Sequence, residues 1–438
     1  MSVTAVVGAQ WGDEGKGRVV DYLAHEADLV IRYGGGNNAG HTVVNAHGHF
    51  KLHLIPSGIF HPGTRNLLGN GVVINPPALV TELDGLAAAG FDGVNLFIAD
   101  RAHLVMPYHV LIDQLEERER GSGKLGTTSR GIGPAYVDKV ARRGIRVIDL
   151  MEADAFRERL HHAVQRARRL VDAYFGAGGA HDEMREVIEA ALDEERIAEA
   201  YLAAAERLRR HVVDGQAMVD QALAEGQRIL LEGQLGTMRD IDWGIYPYVT
   251  SSSPIPGGAS LGAGLPAVAI DRVLGVAKAY TTAVGSGPVP TELIDETGEA
   301  LRERGAEYGT STGRPRRCGW YDAVAVRFSV RLAGYSAIAL TKLDVLDGFE
   351  RIRLATAYRD PADGTVWDTV PASTSVYERL EPVYEEAAGW LEDTTGCRSW
   401  SELPAAARGY VERLEELARV PISHVSVGPE RAQMIVRG

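Results

Sequence analysis

A short apolar segment, a glycine-rich loop and a helical pattern follow one another at the start of the chain. The apolar segment is "VTAVVG", residues 3–8, and its β-branched residues predict a buried strand. After the loop, "GKGRVVDYLAHEA" has apolar residues with helical spacing at Val19, Val20, Leu23 and Ala24. A helix that follows a glycine loop offers free N–H groups and a favourable dipole to an anion. This order predicts an α/β fold with a phosphate-binding loop.

The loop "GAQWGDEGKGR" is longer than an ordinary P-loop. Six residues separate Gly8 from Gly15, more than in the ordinary loop, and Gly17 stands where Ser or Thr is usual. The preceding strand and the following helix favour a nucleotide phosphate as the partner of Lys16. The alternative is a tight turn with a solvated lysine.

The same loop contains two adjacent carboxylates, Asp13 and Glu14. Carboxylates beside a phosphate are repelled unless a metal or a substrate proton gives them a partner. One of the two is therefore predicted to ligate Mg²⁺ or to act as a general base.

A second strand and glycine loop follow in "LVIRYGGGNNAGHTVV". The loop is too polar and too rich in glycine for a packed core, so we expect it to line an active site. It carries Asn38 and His41. A single histidine is more often structural than catalytic, but its place after a glycine loop favours catalysis.

The rest of the chain alternates between strand and helix patterns. Further strands are predicted in "RILLEGQLG", "VLGVAKAYTTAV", "SAIALTKLD", "IRLATAY" and "PISHVSVG", whereas residues 151–225 have helical periodicity. This pattern predicts an α/β fold with a mainly parallel central sheet, helices on both faces and a P-loop-like architecture. We expect one large domain over residues 1–438, with a helical insertion at about 151–225.

The composition argues against nucleic-acid and membrane partners. At 438 residues and 45% hydrophobic content the chain can bury a large core, and its net charge is −13. No apolar run is long enough to cross a bilayer, and no basic-then-apolar leader precedes the first loop. Cys318 and Cys397 are too few for a disulfide framework or a structural zinc site. We expect a cytoplasmic protein with reduced cysteines.

The segment "TKLDVLDG" follows an apolar strand and places Lys342 and Asp344 two residues apart. Such an aspartate can accept bonds from both N–H groups of guanine while the lysine stem packs on the ring, and adenine lacks that donor pair. A surface ion pair is the alternative.

Two further loops combine hydroxyl groups with arginines. "GTSTGRPRRCGW" carries Thr310, Ser311, Thr312, Arg314 and Arg316, and "GTTSRGIGPAYVDKVARRG" is similar. Guanidinium and hydroxyl groups at this density suit a carboxylate or phosphate ligand, and a solvated basic loop is the alternative.

These segments together resemble the adenylosuccinate synthetase family over essentially the whole chain. The resemblance is carried by "QWGDEGKG", "GGNNAGHT", "LHLIPSGI", "GNGVV", "GIGPAY", "DIDWGIYPYVTSS", "GPVPTEL", "TGRPRRCGW", "TKLDVLDG" and "VSVGPER". It implies a ligase that joins L-aspartate to IMP with GTP and Mg²⁺. A base removes the N1 proton of the purine, the 6-oxygen takes the γ-phosphoryl group, and the amine of aspartate displaces phosphate.

The resemblance also implies roles for individual residues. Asp13 would be the general base and a Mg²⁺ ligand, the Gly40 carbonyl a second ligand, and His41 the general acid. The implied GTP site consists of Gly12, Asp13, Glu14, Gly15, Lys16, Gly17, Arg18, Gly40, His41, Thr42, Arg316, Lys342, Leu343, Asp344, Ser426, Val427 and Gly428. The implied IMP site consists of Asp13, Asn38, Thr128, Arg142, Gln234, Thr250 and Arg314, with Arg142 supplied by the other subunit of a homodimer. The implied aspartate site consists of Thr310, Ser311, Thr312, Gly313, Arg314 and Arg316.

The chain departs from the family pattern at three positions. Leu235 stands where the family usually has a glutamine, so either Gln234 reaches the IMP pocket or that contact is missing. Ala283 stands where an arginine is common, which removes a positive charge near the substrates, and Pro315 stiffens the aspartate loop. A ligase for another purine nucleotide, such as GMP or dGMP, therefore remains an alternative. A GTP-binding switch protein is another.

Overall fold

The computed structural model describes residues 2–38, 40–45, 48–175, 184–309 and 313–437. Its strands are β1 (Ser2–Gly8), β2 (Leu29–Arg32), β3 (His41–Asn45), β4 (Gly48–Leu52), β5 (Arg65–Leu68), β6 (Val73–Ile74), β7 (Leu96–Ala99), β8 (His103–Leu104), β9 (Val212–Val213), β10 (Arg228–Gly236), β11 (Arg272–Lys278), β12 (Thr281–Ala283), β13 (Arg317–Gly319), β14 (Tyr321–Asp322), β15 (Ala337–Thr341), β16 (Phe349–Arg359), β17 (Val366–Trp367), β18 (Glu381–Trp390), β19 (Ile422–Ser426) and β20 (Met434–Val436).

Its α-helices are α1 (Lys16–Ala24), α2 (Pro76–Ala88), α3 (Pro107–Glu119), α4 (Ile132–Val140), α5 (Val147–Leu150), α6 (Ala153–Phe175), α7 (Arg185–Leu192), α8 (Glu194–Leu208), α9 (Gly215–Ala224), α10 (Pro256–Ala263), α11 (Glu296–Arg304), α12 (Ala323–Ala333), α13 (Thr374–Arg379) and α14 (Ala405–Ala418). Several of these helices begin at an N-cap residue whose side chain accepts a hydrogen bond from a backbone N–H group of the first turn. Asn75 accepts from Ala78 N at α2, and Asp322 accepts from Ala325 N at α12.

The largest sheet in the described part of the chain has ten strands, in the order β20, β19, β15, β11, β1, β10, β2, β5, β7, β9. Among these strands every neighbouring pair is parallel except β19 with β20. The predicted mainly parallel sheet is therefore confirmed. β1 lies near its centre, paired with β10 on one side and β11 on the other.

Helices cover both faces of this sheet, because successive side chains of β1 point to opposite faces and are apolar on both. Val6 packs into one cluster with Val19 and Val20 of α1. Its neighbours Ala5 and Val7 point the other way, into a cluster that also includes residues of α9, α10, α12 and α14. A strand that is apolar on both sides is typical of a sheet covered on both faces.

One predicted strand is confirmed but lies outside the main sheet. "IRLATAY" lies in β16, which pairs with β18 and β17 antiparallel and with β14 parallel, in a sheet separate from the main one. Its burial alternates over Arg351–Leu354, because one face of the hairpin packs inward while the other meets solvent. β16 therefore lies away from the edge of the main sheet that carries the glycine loops.

The segment 151–225 contains α6, α7, α8 and α9 together with the two-residue strand β9. α6 and α8 form a core of their own with α2, α3 and β7, in which Phe156, Leu160 and Tyr201 are buried. Among the described residues no helix is both long and apolar enough to span a bilayer.

Candidate active site

The candidate residues lie where parallel strands of the main sheet end. β1 ends at Gly8 before the first glycine loop, and β2 ends at Arg32 before the second. Gln234 lies near the end of β10, Lys342 follows β15, and Ser426 ends β19. Because the carboxyl ends of parallel strands share one edge of a sheet, the topology brings these distant segments together.

The first loop is held open by left-handed backbone. Gly12 has φ 101°, Asp13 φ 59° and Gly15 φ 87°, and Gly15 is the N-cap of α1. A Cβ on Gly12 would lie 3.3 Å from a side-chain atom of Leu235. Both the positive φ and this close contact therefore favour glycine at position 12. The first turn of α1 then presents its N–H groups to the loop, as a phosphate site requires.

Gly17 also has a steric reason for lacking a side chain. A Cβ on Gly17 would lie 2.8 Å from the Cβ of His41. The second loop therefore occupies the space that the Ser or Thr of an ordinary P-loop would fill. Close contact between the two loops explains this departure from the ordinary motif.

The two loop carboxylates differ in their surroundings. Glu14 is fully buried and accepts from Gln10 N at 3.1 Å and from Gly12 N at 2.8 Å, while its other oxygen pairs with Lys16 Nζ. Asp13 keeps a side chain that is 27% exposed, with Arg316 Nε 3.0 Å from its Oδ2. Of the two predicted candidates for chemistry, Asp13 is the accessible one and Glu14 shapes the loop.

His41 is oriented by a buried carboxylate that the sequence did not single out. Its Nδ1 lies 2.7 Å from Glu232 Oε1, and Ser57 donates to Glu232 from N at 2.9 Å and from Oγ at 2.7 Å. Burial would raise the pKa of Glu232, but the hydrogen bonds from His41 and Ser57 outweigh it and lower that pKa. An ionised Glu232 fixes Nδ1 as the protonated nitrogen, so Nε2 is free to act on a substrate.

Asp344 is half-buried near the charge of Arg18. Its Oδ1 atom is buried and has no hydrogen-bond partner among the described residues, which is unusual for a buried carboxylate oxygen. Burial raises the pKa of Asp344 although Arg18 opposes the shift. Arg18 Nη1 donates to Ser426 Oγ at 2.6 Å. The unpaired acceptor fits a ligand that brings N–H donors.

Gln234 reaches the second glycine loop. Its Nε2 donates to Asn38 Oδ1 at 2.6 Å and its Oε1 accepts from Gly36 N at 3.0 Å. Leu235 adopts φ 62°, which turns its side chain away from this loop and towards Gly12. Gln234, and not Leu235, is therefore the side chain of this segment that contacts the second glycine loop.

Arg239 places a positive charge beside Ala283. Its buried guanidinium donates to Tyr248 O at 2.6 Å, Val284 O at 2.6 Å and Ser286 O at 3.3 Å. Burial, together with the charge of Arg317, lowers the pKa of Arg239 to about 10, although the nearby charge of Asp13 opposes the shift. The loss of charge expected from Ala283 is therefore offset by an arginine from another segment.

The remaining candidates differ in what the structure shows of them. Arg314 donates to Gly126 O at 3.2 Å and Thr127 O at 3.4 Å, which brings it to the loop of Thr128. Thr250 N donates to Arg239 O at 2.8 Å. Arg142 has φ 60° and an exposed side chain that makes no hydrogen bond or ion pair with a described residue of its own chain. Thr310, Ser311 and Thr312 lie outside the described residues.

The residues near the first loop suit a magnesium ion that is held largely by phosphate. No group of three or more His, Cys, Asp or Glu side chains in the described part of the chain could enclose a metal. Mg²⁺ commonly takes one or two protein carboxylates and completes its shell with substrate phosphates and water. Asp13 supplies one accessible carboxylate, and the Gly40 carbonyl belongs to the loop that packs on Gly17.

A phosphate-type loop and a carboxylate with an unpaired buried oxygen, on one edge of a parallel sheet, define a nucleotide-dependent α/β enzyme. The sequence profile of the adenylosuccinate synthetase family matches residues 5–435. The chain belongs to this family, and its reaction is the GTP-dependent ligation of L-aspartate to IMP in purine biosynthesis.

Relatives and solved structures agree with this assignment. Adenylosuccinate synthetase of Moorella thermoacetica is 52% identical over 436 residues, which cover 100% of this chain and 99% of that protein. That of Heliobacterium modesticaldum is 52% identical over 438 residues, covering 100% and 99%. The fully ligated enzyme from Plasmodium falciparum has a TM-score of 0.91 at 36% identity and covers 100% of both chains.

A more distant structure shares the fold alone. The succinoaminodeoxyadenylate synthetase of cyanophage S-2L, bound to dGMP and dATP, has a TM-score of 0.59 at 20% identity, covering 99% of this chain and 95% of that one. The full-length matches at about half identity favour IMP over GMP or dGMP as the substrate, and a ligase over a switch protein.

Proposed function

We propose that Asp13 and His41 are the catalytic residues of the ligase reaction. The observation that carries this proposal is the contrast within the first loop: Asp13 is accessible in a left-handed conformation, whereas Glu14 is buried and saturated. A general base must reach its proton directly, so only Asp13 qualifies.

In the proposed sequence, Asp13 takes the proton from N1 of IMP, and the 6-oxygen attacks the γ-phosphorus of GTP as the bond to GDP breaks. His41, protonated and oriented by Glu232, donates from Nε2 to the transferring phosphoryl group. The amine of L-aspartate then attacks C6, the C6–O bond breaks and phosphate leaves. The amine loses a proton as adenylosuccinate forms.

We assign the nucleotide to the loops around α1 and β15. The N–H groups of residues 12–18, with Lys16, would hold the phosphates, next to Gly40 and Thr42 of the second loop. The unpaired Oδ1 of Asp344 supports its role as acceptor for guanine, with the Lys342 stem against the ring and Ser426–Gly428 beside it.

The same arrangement leaves room for Mg²⁺ and the two other substrates. Asp13 and the Gly40 carbonyl would hold Mg²⁺, which neutralises phosphate charge when bound. The contact between Gln234 and Asn38, together with Thr128, Thr250 and Arg314, supports an IMP site. The loop of residues 310–316 would bind L-aspartate.

We further propose a homodimer in which Arg142 serves the site of the partner. Three apolar side chains near Arg142 are strongly exposed: Val137 by 55%, Val140 by 80% and Leu261 by 79%. Leu261 adjoins α4, because Asn70 donates to Leu261 O and accepts from Lys139 Nζ at 3.2 Å. An exposed apolar surface of this kind is typical of an interface.

The proposal is tested by an absorbance assay of the purified protein with IMP, L-aspartate, GTP and Mg²⁺. Formation of product from IMP with GTP supports the proposal. Formation of product only from GMP or dGMP would mean that the enzyme acts on another purine nucleotide. Asp13→Ala should abolish product formation while GDP affinity stays within about tenfold. Turnover by that variant would remove Asp13 from the mechanism.

A further inference from the structure

One buried carboxylate, that of Glu307, connects side chains from opposite ends of the candidate site. Its Oε1 lies 2.8 Å from Lys278 Nζ and 2.6 Å from Lys342 Nζ, and its Oε2 lies 2.6 Å from Arg316 Nη1. The Tyr280 hydroxyl also donates to it. Glu307 itself is 0% exposed. No candidate function was assigned to this residue from the sequence.

The three cations around Glu307 are not equivalent. Lys278 is completely buried and donates to Thr282 Oγ1 as well, so this pair belongs to the interior. Arg316 and Lys342 are respectively 9% and 28% exposed, and they face the candidate site. Burial would raise the pKa of Glu307, but the three cations outweigh it and hold that pKa far below its usual range. Glu307 therefore stays charged at any physiological pH.

Arg316 carries the connection on to the proposed base. Its Nε lies 3.0 Å from Asp13 Oδ2 while its Nη1 is held by Glu307. Four side chains of alternating charge therefore contact one another in the order Asp13, Arg316, Glu307, Lys342. This row of ion pairs joins the first loop to the segment that follows β15.

The backbone of Glu307 also closes the base of the aspartate loop. Arg316 N donates to Glu307 O at 2.8 Å, and Tyr308 pairs with Pro315 in an isolated antiparallel bridge. Main chain and side chain of Glu307 therefore both hold Arg316, the last residue of the proposed aspartate loop. Lys342 Nζ donates in addition to Gly305 O at 2.6 Å, only two residues before Glu307.

We propose that Glu307 is a positioning residue that couples the guanine pocket to the aspartate loop. This inference rests on the proposed function, in which Lys342 packs on guanine and Arg316 belongs to the aspartate site. When guanine packs on the Lys342 stem, it holds the Lys342 ammonium group in its contact with Glu307. The Glu307 carboxylate in turn holds the guanidinium group of Arg316. The coupling is reciprocal, so a bound L-aspartate also favours GTP.

The first test is Glu307→Gln, which keeps the shape of the side chain and removes its charge. Because charged hydrogen bonds to both Lys342 and Arg316 weaken, the KM values for GTP and for L-aspartate should each rise about tenfold. The dissociation constant of IMP alone should stay within about twofold, since none of the four partners of Glu307 belongs to the proposed IMP contacts. Glu299→Gln, at an exposed carboxylate on α11, is the matched control and should change neither KM.

A second variant guards against loss of folding. Glu307→Gln alone leaves Lys278 buried without its anion, which can destabilise the chain strongly. Lys278→Met combined with Glu307→Gln removes both members of the buried pair. It should fold, bind IMP and still show the raised KM values for GTP and L-aspartate.

The coupling itself is measured with a double-mutant cycle on Lys342→Met. In the otherwise unchanged chain this substitution should raise the KM for L-aspartate about fivefold, although Lys342 is assigned to guanine. With Glu307 already replaced by Gln, the same substitution should leave that KM unchanged. A purely structural Glu307 would lower the melting temperature without producing this pattern.

Two results overturn the inference. One is a KM for L-aspartate that does not respond to Lys342→Met, and the other is strict additivity of the two substitutions. Failure of the proposed function is distinguishable, because the unmodified protein would then form no product from IMP, L-aspartate and GTP. GDP affinity measured by calorimetry in the same variants still tests the connection between Glu307 and Lys342 in that case.

Discussion

The imidazole of His41 and the carboxylate of Glu232 are joined by a 2.7 Å hydrogen bond between residues 191 positions apart in the chain. We expect Glu232→Gln to lower kcat about a hundredfold, because a neutral amide no longer stabilises the imidazolium that donates to the phosphoryl group. Steady-state kinetics with saturating substrates measures this. Ser57→Ala removes a different partner of Glu232 and should cost less than about tenfold. Equal losses in the two variants would contradict the assigned role.

Asp344→Asn should change which purine triphosphate is used. The amide loses one acceptor for the guanine N–H groups, so the KM for GTP should rise about a hundredfold. The new amide N–H₂ group can donate to the C2 oxygen of xanthine, so kcat/KM for xanthosine triphosphate should increase relative to kcat/KM for GTP. The ratio of kcat/KM for the two nucleotides is the measurement. An unchanged ratio would place base recognition elsewhere.

Gln234→Ala should weaken IMP without a comparable effect on GTP. Gln234 holds the side chain of Asn38 and the N–H of Gly36, so its removal frees the second loop. We expect the KM for IMP to rise about tenfold with kcat nearly unchanged. Gln221→Ala, on the exposed face of α9, is the control and should behave like the unmodified chain. A tenfold change in the KM for GTP instead would show that the loop serves the other nucleotide.

Arg239→Met should lower kcat/KM for IMP about tenfold, because the hydrogen bonds that Arg239 donates to three carbonyl groups and a positive charge near Asp13 are lost together. Adding Ala283→Arg returns a guanidinium to the adjacent strand. Partial recovery in the double variant would assign the effect to charge. If the double variant does not recover activity and its melting temperature stays low, the loss is due to the missing hydrogen bonds that Arg239 makes to the backbone of residues 248 and 284–286.

Asp322 makes stability depend on pH. Burial raises the pKa of Asp322 from 3.8 to about 6, although Ala325 N and the Tyr358 hydroxyl oppose the shift. The folded chain therefore binds this proton more tightly than the unfolded chain, and the resulting stabilisation, present below pH 3.8, is lost as the pH rises through about 6. Its size is about 3 kcal/mol for the full shift.

Asp322→Asn removes this titration while keeping an oxygen for the N-cap of α12. The free energy of unfolding of the variant, relative to the unmodified chain, should therefore rise by about 2 kcal/mol between pH 4 and pH 7.5. Urea unfolding at several pH values measures the difference. A difference that does not vary with pH would mean that Asp322 titrates at its ordinary value.

The sequence predicts the central part of this molecule because local patterns determine it. The β-branched run before Gly8, the glycines after it and the apolar spacing of α1 each restrict the backbone on their own. Parallel strands then bring their loops to one edge, so Asp13, His41 and Lys342 could be grouped without coordinates.

The partners of these residues could not be predicted in the same way. Glu232, Arg239 and Glu307 lie in apolar or ordinary stretches, and nothing in their immediate neighbours distinguishes them from surface charges. Their importance comes from burial beside groups that are far away in the chain, which no local pattern encodes. The partners of the predicted strand "IRLATAY" were likewise not predictable, since strand pairing depends on topology rather than on propensity.

The central position of β1 has a consequence for the synthesis of the protein. β1 pairs with β10 and β11, which begin only at Arg228 and Arg272. The whole segment from residue 9 to residue 278 must therefore be translated after β1 before the first glycine loop has both of its supporting neighbours. Contacts so distant in sequence form slowly, and β1 presents unpaired edges until these strands have been made. We therefore expect β1 to be prone to aggregation during that interval.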